Sequence, residues 1–345
     1  MKTKEEWEYC KGTLPKVSRT FALNIDQLEG DTYQAVLLGY LFFRIADTFE
    51  DNIYQNELEK IKSLGDYADV FKGNKSLDDR LEQYESLKFR WHDESPDKDL
   101  VENGSRVFRC YHELPDVYRE IMDPHIVRTS EGMVKFQKRK LRSGSRTFQL
   151  SDMEDLEDYS YYVAGVVGMM LTGIFCKQGN LSTLKAELEK HQVQFGAALQ
   201  LTNIAKDYKK DLSRGWCYIP TSVTKKYNIR LEQLNNLSTR QKQGILRELT
   251  PILLNAYDST LEYIEILPEN ERAIRIFCII PFVLAYNTLL HLIETKGNKI
   301  TREQVAAILT ECRTYAGSNK LLRTNYLKAK RRLAWHLRQA FGNQW

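Results

Sequence analysis

The sequence holds no Cys-x-x-Cys pair, no His/Cys cluster at zinc-ligand spacing and no Gly-x-Gly-x-x-Gly loop. A zinc cage and a Rossmann dinucleotide site are therefore not expected. Cys10, Cys110, Cys176, Cys217, Cys278 and Cys312 are widely scattered, a pattern that fits a reducing compartment rather than a disulfide scaffold. An excess of one charge is also lacking. Fifty Lys plus Arg stand against 46 Asp plus Glu, so there is no dominating basic field and no nucleic-acid partner is expected. Long hydrophobic runs are scarce: Tyr162 to Cys176 is too short to span a bilayer, and Ile276 to Ile293 is interrupted by Pro281 and Asn287. Both are expected to be buried core helices. The N-terminus, Met-Lys-Thr-Lys-Glu-Glu-Trp-Glu, is too charged for the apolar core of a signal peptide. A cytoplasmic protein without a transmembrane anchor is the expectation. Prolines number only eight, and Pro115, Pro124, Pro220 and Pro268 stand where helix boundaries are plausible.

What is present is helical periodicity. Ala35, Leu38, Leu41 and Phe42, then Leu253, Leu254, Tyr257 and Leu261, recur at helix spacing, and sustained alternation is hard to find. An all-α protein follows. At 345 residues and 42% hydrophobic, the chain can bury one large core or two smaller ones. No repeat and no low-complexity linker divides it. The polar stretch Asn74 to Asp99 reads as a solvated loop or loosely packed connection with no assignable chemistry.

Two acidic patterns carry the chemical signal. Asp47, Glu50 and Asp51 follow the apolar run Ala35 to Phe43, and positions i, i+3 and i+4 share a helix face, so three carboxylates would project together. Their repulsion is relieved by a divalent cation, and Mg²⁺ favours few carboxylates plus phosphate oxygens. Asp207 and Asp211 repeat the spacing after Phe195 to Ile204, with Gln200 and Asn203 on preceding turns. Cations surround both sets: Arg19 and Arg44 near the first, Lys206, Lys209, Lys210 and Arg214 near the second. Metal on one side and Arg or Lys on the other would trap a diphosphate leaving group. Ordinary surface ion pairs would explain each cation taken singly.

Four blocks, in order, resemble the squalene/phytoene synthase family: Ser18-Arg19-Thr20-Phe21; Tyr40 to Asp51; Tyr159-Ser160-Tyr161-Tyr162-Val163-Ala164-Gly165-Val166-Val167-Gly168; and Gln200 to Asp211, extended by Arg214-Gly215-Trp216-Cys217-Tyr218-Ile219-Pro220. The resemblance implies a single-domain helical bundle over residues 1–345 with a central cavity, its motif-bearing core at 18–220 and C-terminal helices at 221–345 completing it. It implies head-to-head condensation of two farnesyl diphosphates, through presqualene diphosphate, by a monomer. Asp47, Glu50, Asp51, Asn203, Asp207 and Asp211 would hold Mg²⁺. Ser18, Arg19, Phe21, Tyr40, Arg44, Gln200 and Lys206 would contact diphosphate or prenyl groups, and Tyr162, or else Tyr159, would be the catalytic tyrosine. Arg19, Arg44 and Lys206 would also serve cofactor binding. Two departures stand out: Lys210 replaces an acidic residue beside the final aspartate, and Lys206 replaces the usual arginine, a point charge where a bidentate fork is typical.

The residues of the third block have their own reading. Two glycines within a helix cost about 1 kcal/mol each unless their space is used, either by a prenyl chain against the backbone or by tight helix packing. Tyr162 offers a ring that can stabilise a carbocation and a hydroxyl that can handle a proton.

Ile276-Phe277-Cys278-Ile279-Ile280-Pro281 resembles the squalene synthase branch, as does Lys299-Ile300-Thr301-Arg302, where that branch places basic residues for NADPH. Squalene is therefore the expected product, with NADPH as reductant. Phytoene or dehydrosqualene synthesis without NADPH, a stop at presqualene diphosphate, and a non-enzymatic helical scaffold are the alternatives. The basic amphipathic stretch Lys320 to Trp345 fits peripheral contact with an anionic membrane or packing on the body of the protein.

Overall fold

The computed structural model describes residues 2–87, 89–92, 94–295 and 301–342, except for the side chains of 2, 3, 19, 180, 302 and 341. Lys299 lies outside the described residues, as do the side chains of Arg19 and Arg302. The chain forms two compact units: Met1–Ser145 with Met169–Thr183, and Arg146–Gly168 with Leu184–Trp345.

The first unit comprises α1 (Lys2–Val17), α2 (Arg19–Ile25), α3 (Gly30–Asp51), α4 (Glu57–Val70), α5 (Leu77–Glu85), α6 (Pro96–Glu102), α7 (Gly104–Glu113) and α8 (Asp116–Ser143). Its core is aromatic: Phe42 of α3 meets Phe71, Phe108 and Tyr111 at ring-centroid distances of 5.0, 4.8 and 5.1 Å. Buried Arg80 donates to the Val70 carbonyl at the end of α4 and to both oxygens of Asp123. A cation at a helix C-terminus meets the negative end of its dipole, and the carboxylate keeps the buried charge paired.

Two boundary expectations are corrected here. The stretch expected to be a loop contains α5 and α6, each begun by a side-chain cap: Ser76 with Asp79, and Ser95 followed by Pro96. Pro124, expected at a boundary, lies inside α8. It forfeits one backbone hydrogen bond at a cost of about 3 kcal/mol, which the packing of a 28-residue helix absorbs.

The second unit comprises α9 (Met153–Ser160), a wider π-helical turn (Tyr161–Gly165) and the start of α10 (Val166–Phe175), whose later residues belong to the first unit. It continues with α11 (Lys185–Glu189), α12 (Gln192–Ser213), α13 (Thr221–Lys226), α14 (Thr239–Ile266), α15 (Arg272–Glu294), α16 (Arg302–Tyr315) and α17 (Asn319–Phe341). Among the described residues, strand is confined to β1 (Phe148–Gln149) and β2 (Trp216–Cys217), paired in parallel with Phe148 opposite Trp216. Phe195 of α12 stacks on Tyr263 of α14 at 4.6 Å, and Arg275 is fully buried. Its guanidinium donates to the carbonyls of Ile264, Leu267 and Ala316 and to Asn319 Oδ1, so one side chain ties the ends of α14 and α16 to the start of α17.

As expected, the apolar segment around Pro281 is a buried helix. α15 is long and apolar enough to cross a membrane, but 83% of its most apolar window is buried inside the protein.

Candidate functional site

The sequence-expected residues fall into two groups, one in each unit, and each is built on the C-terminal half of a 22-residue helix. In the first unit α3 carries Tyr40, Arg44, Asp47, Glu50 and Asp51 along its last three turns. Ser18 caps α2, its hydroxyl accepting from the Phe21 N–H at 3.3 Å. The Phe21 ring lies 5.3 Å from the Tyr40 ring. Ser18, Phe21, Tyr40 and Arg44 are thus brought together beside the acidic turn. Burial raises the Tyr40 pKa, and the nearby Asp47 adds to this, while Ser18 and Arg44 pull the other way.

Arg44 makes a two-pronged contact with Asp97, Nε to Oδ1 at 2.8 Å and Nη2 to Oδ2 at 3.0 Å. Burial works against its charge, but Asp97 and Asp47 outweigh that and hold its pKa above the ordinary arginine value. Asp97 was missed in the sequence because its neighbourhood reads as polar loop. The signal was there: Ser95-Pro96-Asp97 is a cap, a first-turn proline and a first-turn acid, the start of a helix that delivers a carboxylate.

The three carboxylates of the first motif are not equivalent. Asp47 and Asp51, one turn apart, are half-buried, whereas Glu50 is 4% exposed. Beneath them, buried Lys60 donates from Nζ to the Glu50 backbone carbonyl at 2.8 Å. Buried Lys140 pairs with Glu57 at 3.2 Å. Burial lowers the Lys60 pKa and Lys140 lowers it further, with Glu50, Asp51 and Glu57 opposing.

In the second unit α12 carries Gln200, Asn203, Lys206, Asp207 and Asp211. Gln200, Asn203, Asp207 and Asp211 follow one face by helical spacing. Asn203 is exposed and the two aspartates half-buried. Lys206 reaches across this face, its Nζ 3.0 Å from Asn203 Oδ1 and 3.1 Å from Asp207 Oδ2. On the flank, Lys206, Lys209, Lys210 and Lys242 line a cavity of about 220 Å³ floored by Leu237, Ile245, Leu246 and Leu292. Lys242 had not been singled out, since a lone lysine on α14 carries no pattern in the sequence.

The two tyrosine candidates differ sharply. Tyr159 is 3% exposed, stacked on Tyr218 at 4.3 Å and donating to its hydroxyl at 2.8 Å. Tyr162 is half-buried in the π-helical turn, its ring 5.2 Å from that of Tyr161. Of the glycines that follow, Gly168 is used for packing: a Cβ there would fall 2.0 Å from the Gln192 carbonyl oxygen, and on the facing helix one on Gly196 would fall 2.0 Å from that of Ala164. Of the two uses considered for this glycine space, a neighbouring helix backbone is the one observed at Gly168.

Among the described residues no three His, Cys, Asp or Glu side chains converge into a ready metal cage. Pairs of half-buried carboxylates one turn apart suit Mg²⁺, which keeps several waters and takes one or two carboxylates together with phosphate oxygens. For the cofactor, Thr301 caps α16, accepting from Gln304 N–H at 3.3 Å, which places Arg302 at the first helical position. The Phe277 to Pro281 block is buried core.

The squalene/phytoene synthase profile matches residues 14–311. Squalene synthase from Dictyostelium discoideum is 29% identical over 284 residues, covering 82% of this chain and 63% of that protein. Squalene synthase 1 from Arabidopsis thaliana is 28% identical over 288 residues, covering 82% and 64%. The chain thus spans slightly less than two thirds of the length of these two relatives. Among solved structures, TcSQS with the ligand BPH1237 superposes with a TM-score of 0.78 at 23% identity, covering 97% of both chains. A dehydrosqualene synthase in complex with a ligand gives 0.63 at 20% identity, covering 91% of this chain and 97% of that one. These likenesses show the all-α fold.

Proposed function

Since this chain belongs to the squalene/phytoene synthase family, we propose that it is a Mg²⁺-dependent prenyltransferase joining two farnesyl diphosphates head to head, with residues 1–345 acting as one catalytic domain and as a monomer. The observation that carries this reading is the pair of half-buried Asp-x-x-x-Asp faces, Asp47/Asp51 and Asp207/Asp211, each with a cation beside it, Arg44 and Lys206. Bound Mg²⁺ would neutralise charge on the departing diphosphate. Asp47, Asp51, Asp207 and Asp211 are the residues to hold it, with Asn203 and Glu50 contributing. Arg44, kept in a fixed fork by Asp97, and Lys206 bind diphosphate oxygens. Arg19 and Gln200 add polar contacts, while Ser18, Phe21 and Tyr40 border the donor.

Tyr162 handles a proton through its hydroxyl and steadies positive charge through its ring. Tyr159, with its hydroxyl committed to Tyr218, positions the aromatic stack. The product is squalene, reached through presqualene diphosphate, with NADPH supplying hydride. The squalene synthase relatives support this branch. The cavity lined by Lys206, Lys209, Lys210 and Lys242 offers charge for cofactor phosphate, in addition to Lys299 and Arg302.

Membrane contact is part of the proposal. α17 buries Leu322, Tyr326, Leu333 and Leu337 against the body. It leaves Leu321, Leu327 and Trp335 exposed among exposed Lys320, Lys328, Arg331 and Arg338. Apolar anchors among cations suit an anionic bilayer surface, where a hydrocarbon product would be delivered. Sedimentation with anionic but not neutral vesicles tests this, and Trp335→Ala should abolish it.

Mass spectrometry of products from farnesyl diphosphate, with and without NADPH, tests the reaction. Squalene only with NADPH supports the reading. An identical hydrocarbon at an identical rate without it would put dehydrosqualene or phytoene synthesis in its place.

A further inference from the structure

The first acidic face sits at a helix end, and a helix end has carbonyls with no partner inside the helix. In α3 one of these belongs to Glu50, the residue between the Asp47 and Asp51 side chains. Two side chains from distant parts of the first unit converge on it. Lys60 of α4 donates at 2.8 Å, and Gln137 of α8 donates through Nε2 at 3.4 Å. Lys60 is 4% exposed and Gln137 fully buried. A buried ammonium is costly to retain unless its bonds do something, and this one ends on the backbone of the turn carrying the acidic pair.

We infer that Lys60, assisted by Gln137, is a positioning residue for the first acidic face. By holding the Glu50 carbonyl it fixes the last turn of α3, so that Asp47 and Asp51 remain one helical turn apart when their mutual repulsion would fray the helix end. This rests on the proposal that the face binds Mg²⁺–diphosphate, and adds to it a second layer reaching across α4 and α8. Misplacing a ligand pair by a fraction of an ångström weakens binding even when every ligand is present. The distinguishing prediction concerns sign. If Lys60 acted only as a counter-charge, its removal would tighten cation binding, whereas loss of a positioning contact weakens it.

The experiment uses the 345-residue chain with Asp207→Asn and Asp211→Asn, which silences the α12 face. Mn²⁺ binding is followed by electron paramagnetic resonance in the presence of inorganic pyrophosphate. Lys60→Met should weaken Mn²⁺ binding about tenfold while lowering Tm only modestly, since the Glu50 carbonyl loses one buried donor and keeps Gln137. Gln137→Leu should weaken it about two- to threefold, and Lys60→Arg, which keeps a donor, should restore most of the loss. Arg80→Met, elsewhere in the same unit, should lower Tm without changing Mn²⁺ affinity. Unchanged or tighter binding in Lys60→Met overturns the inference, as does a parent protein that binds no Mn²⁺. Should Lys60→Met fail to fold, Gln137→Leu with wild-type affinity overturns it. A parent that binds Mn²⁺ normally, while the wild-type chain releases no pyrophosphate from farnesyl diphosphate, would contradict the proposed reaction and leave the positioning role standing.

Discussion

The two acidic faces share a spacing and a cation from their own helix, Arg44 and Lys206, and differ in the side chains that hold them. Asp47 and Asp51 end a helix whose last turn is held from beneath by Lys60 and faced by Arg44, itself held by Asp97. At the second face Lys206 contacts Asn203 and Asp207 of its own helix, with Lys242 of α14 on the flank. The first face draws Lys60 from α4, Gln137 from α8 and Asp97 from α6. A short motif therefore specifies the proposed ligands at both places, but not the side chains that reach them from other helices.

The largest effects should be common to both faces. Asp47→Asn and Asp207→Asn should each cut turnover by about 100-fold or more with helical content by circular dichroism unchanged, because each removes charge used on metal and not a packing contact. Near-normal turnover in one variant would break the symmetry and confine the chemistry to the other face.

Next in size is the tyrosine comparison inside the second unit. Tyr162→Phe should lower formation of the cyclopropyl intermediate by about 100-fold. Tyr159→Phe, which removes a hydroxyl already bonded to Tyr218, should change that rate little and lower Tm, since the loss of one buried hydrogen bond costs about 1 kcal/mol. The reverse ranking would exchange their roles.

Smaller effects sharpen the contrast in support. Asp97→Asn should raise KM for farnesyl diphosphate by about tenfold with kcat largely kept, because Arg44 loses its fixed fork. Lys206→Arg should lower KM by about threefold through bidentate contact. A drop in kcat rather than a change in KM for either would place these cations in the chemical step.

The smallest effect concerns pH. Burial tends to raise the Glu57 pKa, but hydrogen bonds from its own backbone and from Lys140 outweigh it and lower the value. The folded value being depressed, this pairing contributes stability above the unfolded carboxylate pKa of about 4.3, and the contribution is lost as pH falls through the lowered folded value. Wild-type Tm should therefore decline below about pH 4.5 more steeply than that of Glu57→Gln. Parallel acid limbs would show that the Glu57–Lys140 pair carries no measurable stability.

Much of this was legible in the sequence, for physical reasons. Helical periodicity gave the all-α class, and i, i+4 spacing placed Asp47 with Asp51 and Asp207 with Asp211, because both are local rules of one helix. The α6 start was legible too but was obscured by the polar composition around it. Lys60, Gln137 and Lys242 were not legible. Their roles depend on which helices pack together, and a lysine at helical spacing looks alike whether it faces water or a carbonyl. The use of Gly168 was half legible: small residues signalled close approach without saying to what, and the structure supplies the Gln192 backbone.

The central claim is that the acidic faces exist to carry metal-bound diphosphate. Its most direct test is pyrophosphate release from farnesyl diphosphate by the wild-type 345-residue chain, measured with Mg²⁺ and again after chelation by EDTA. The account predicts steady release that stops on chelation and resumes when Mg²⁺ is restored. Release that continues undiminished in EDTA, or none at any Mg²⁺ concentration, would contradict it.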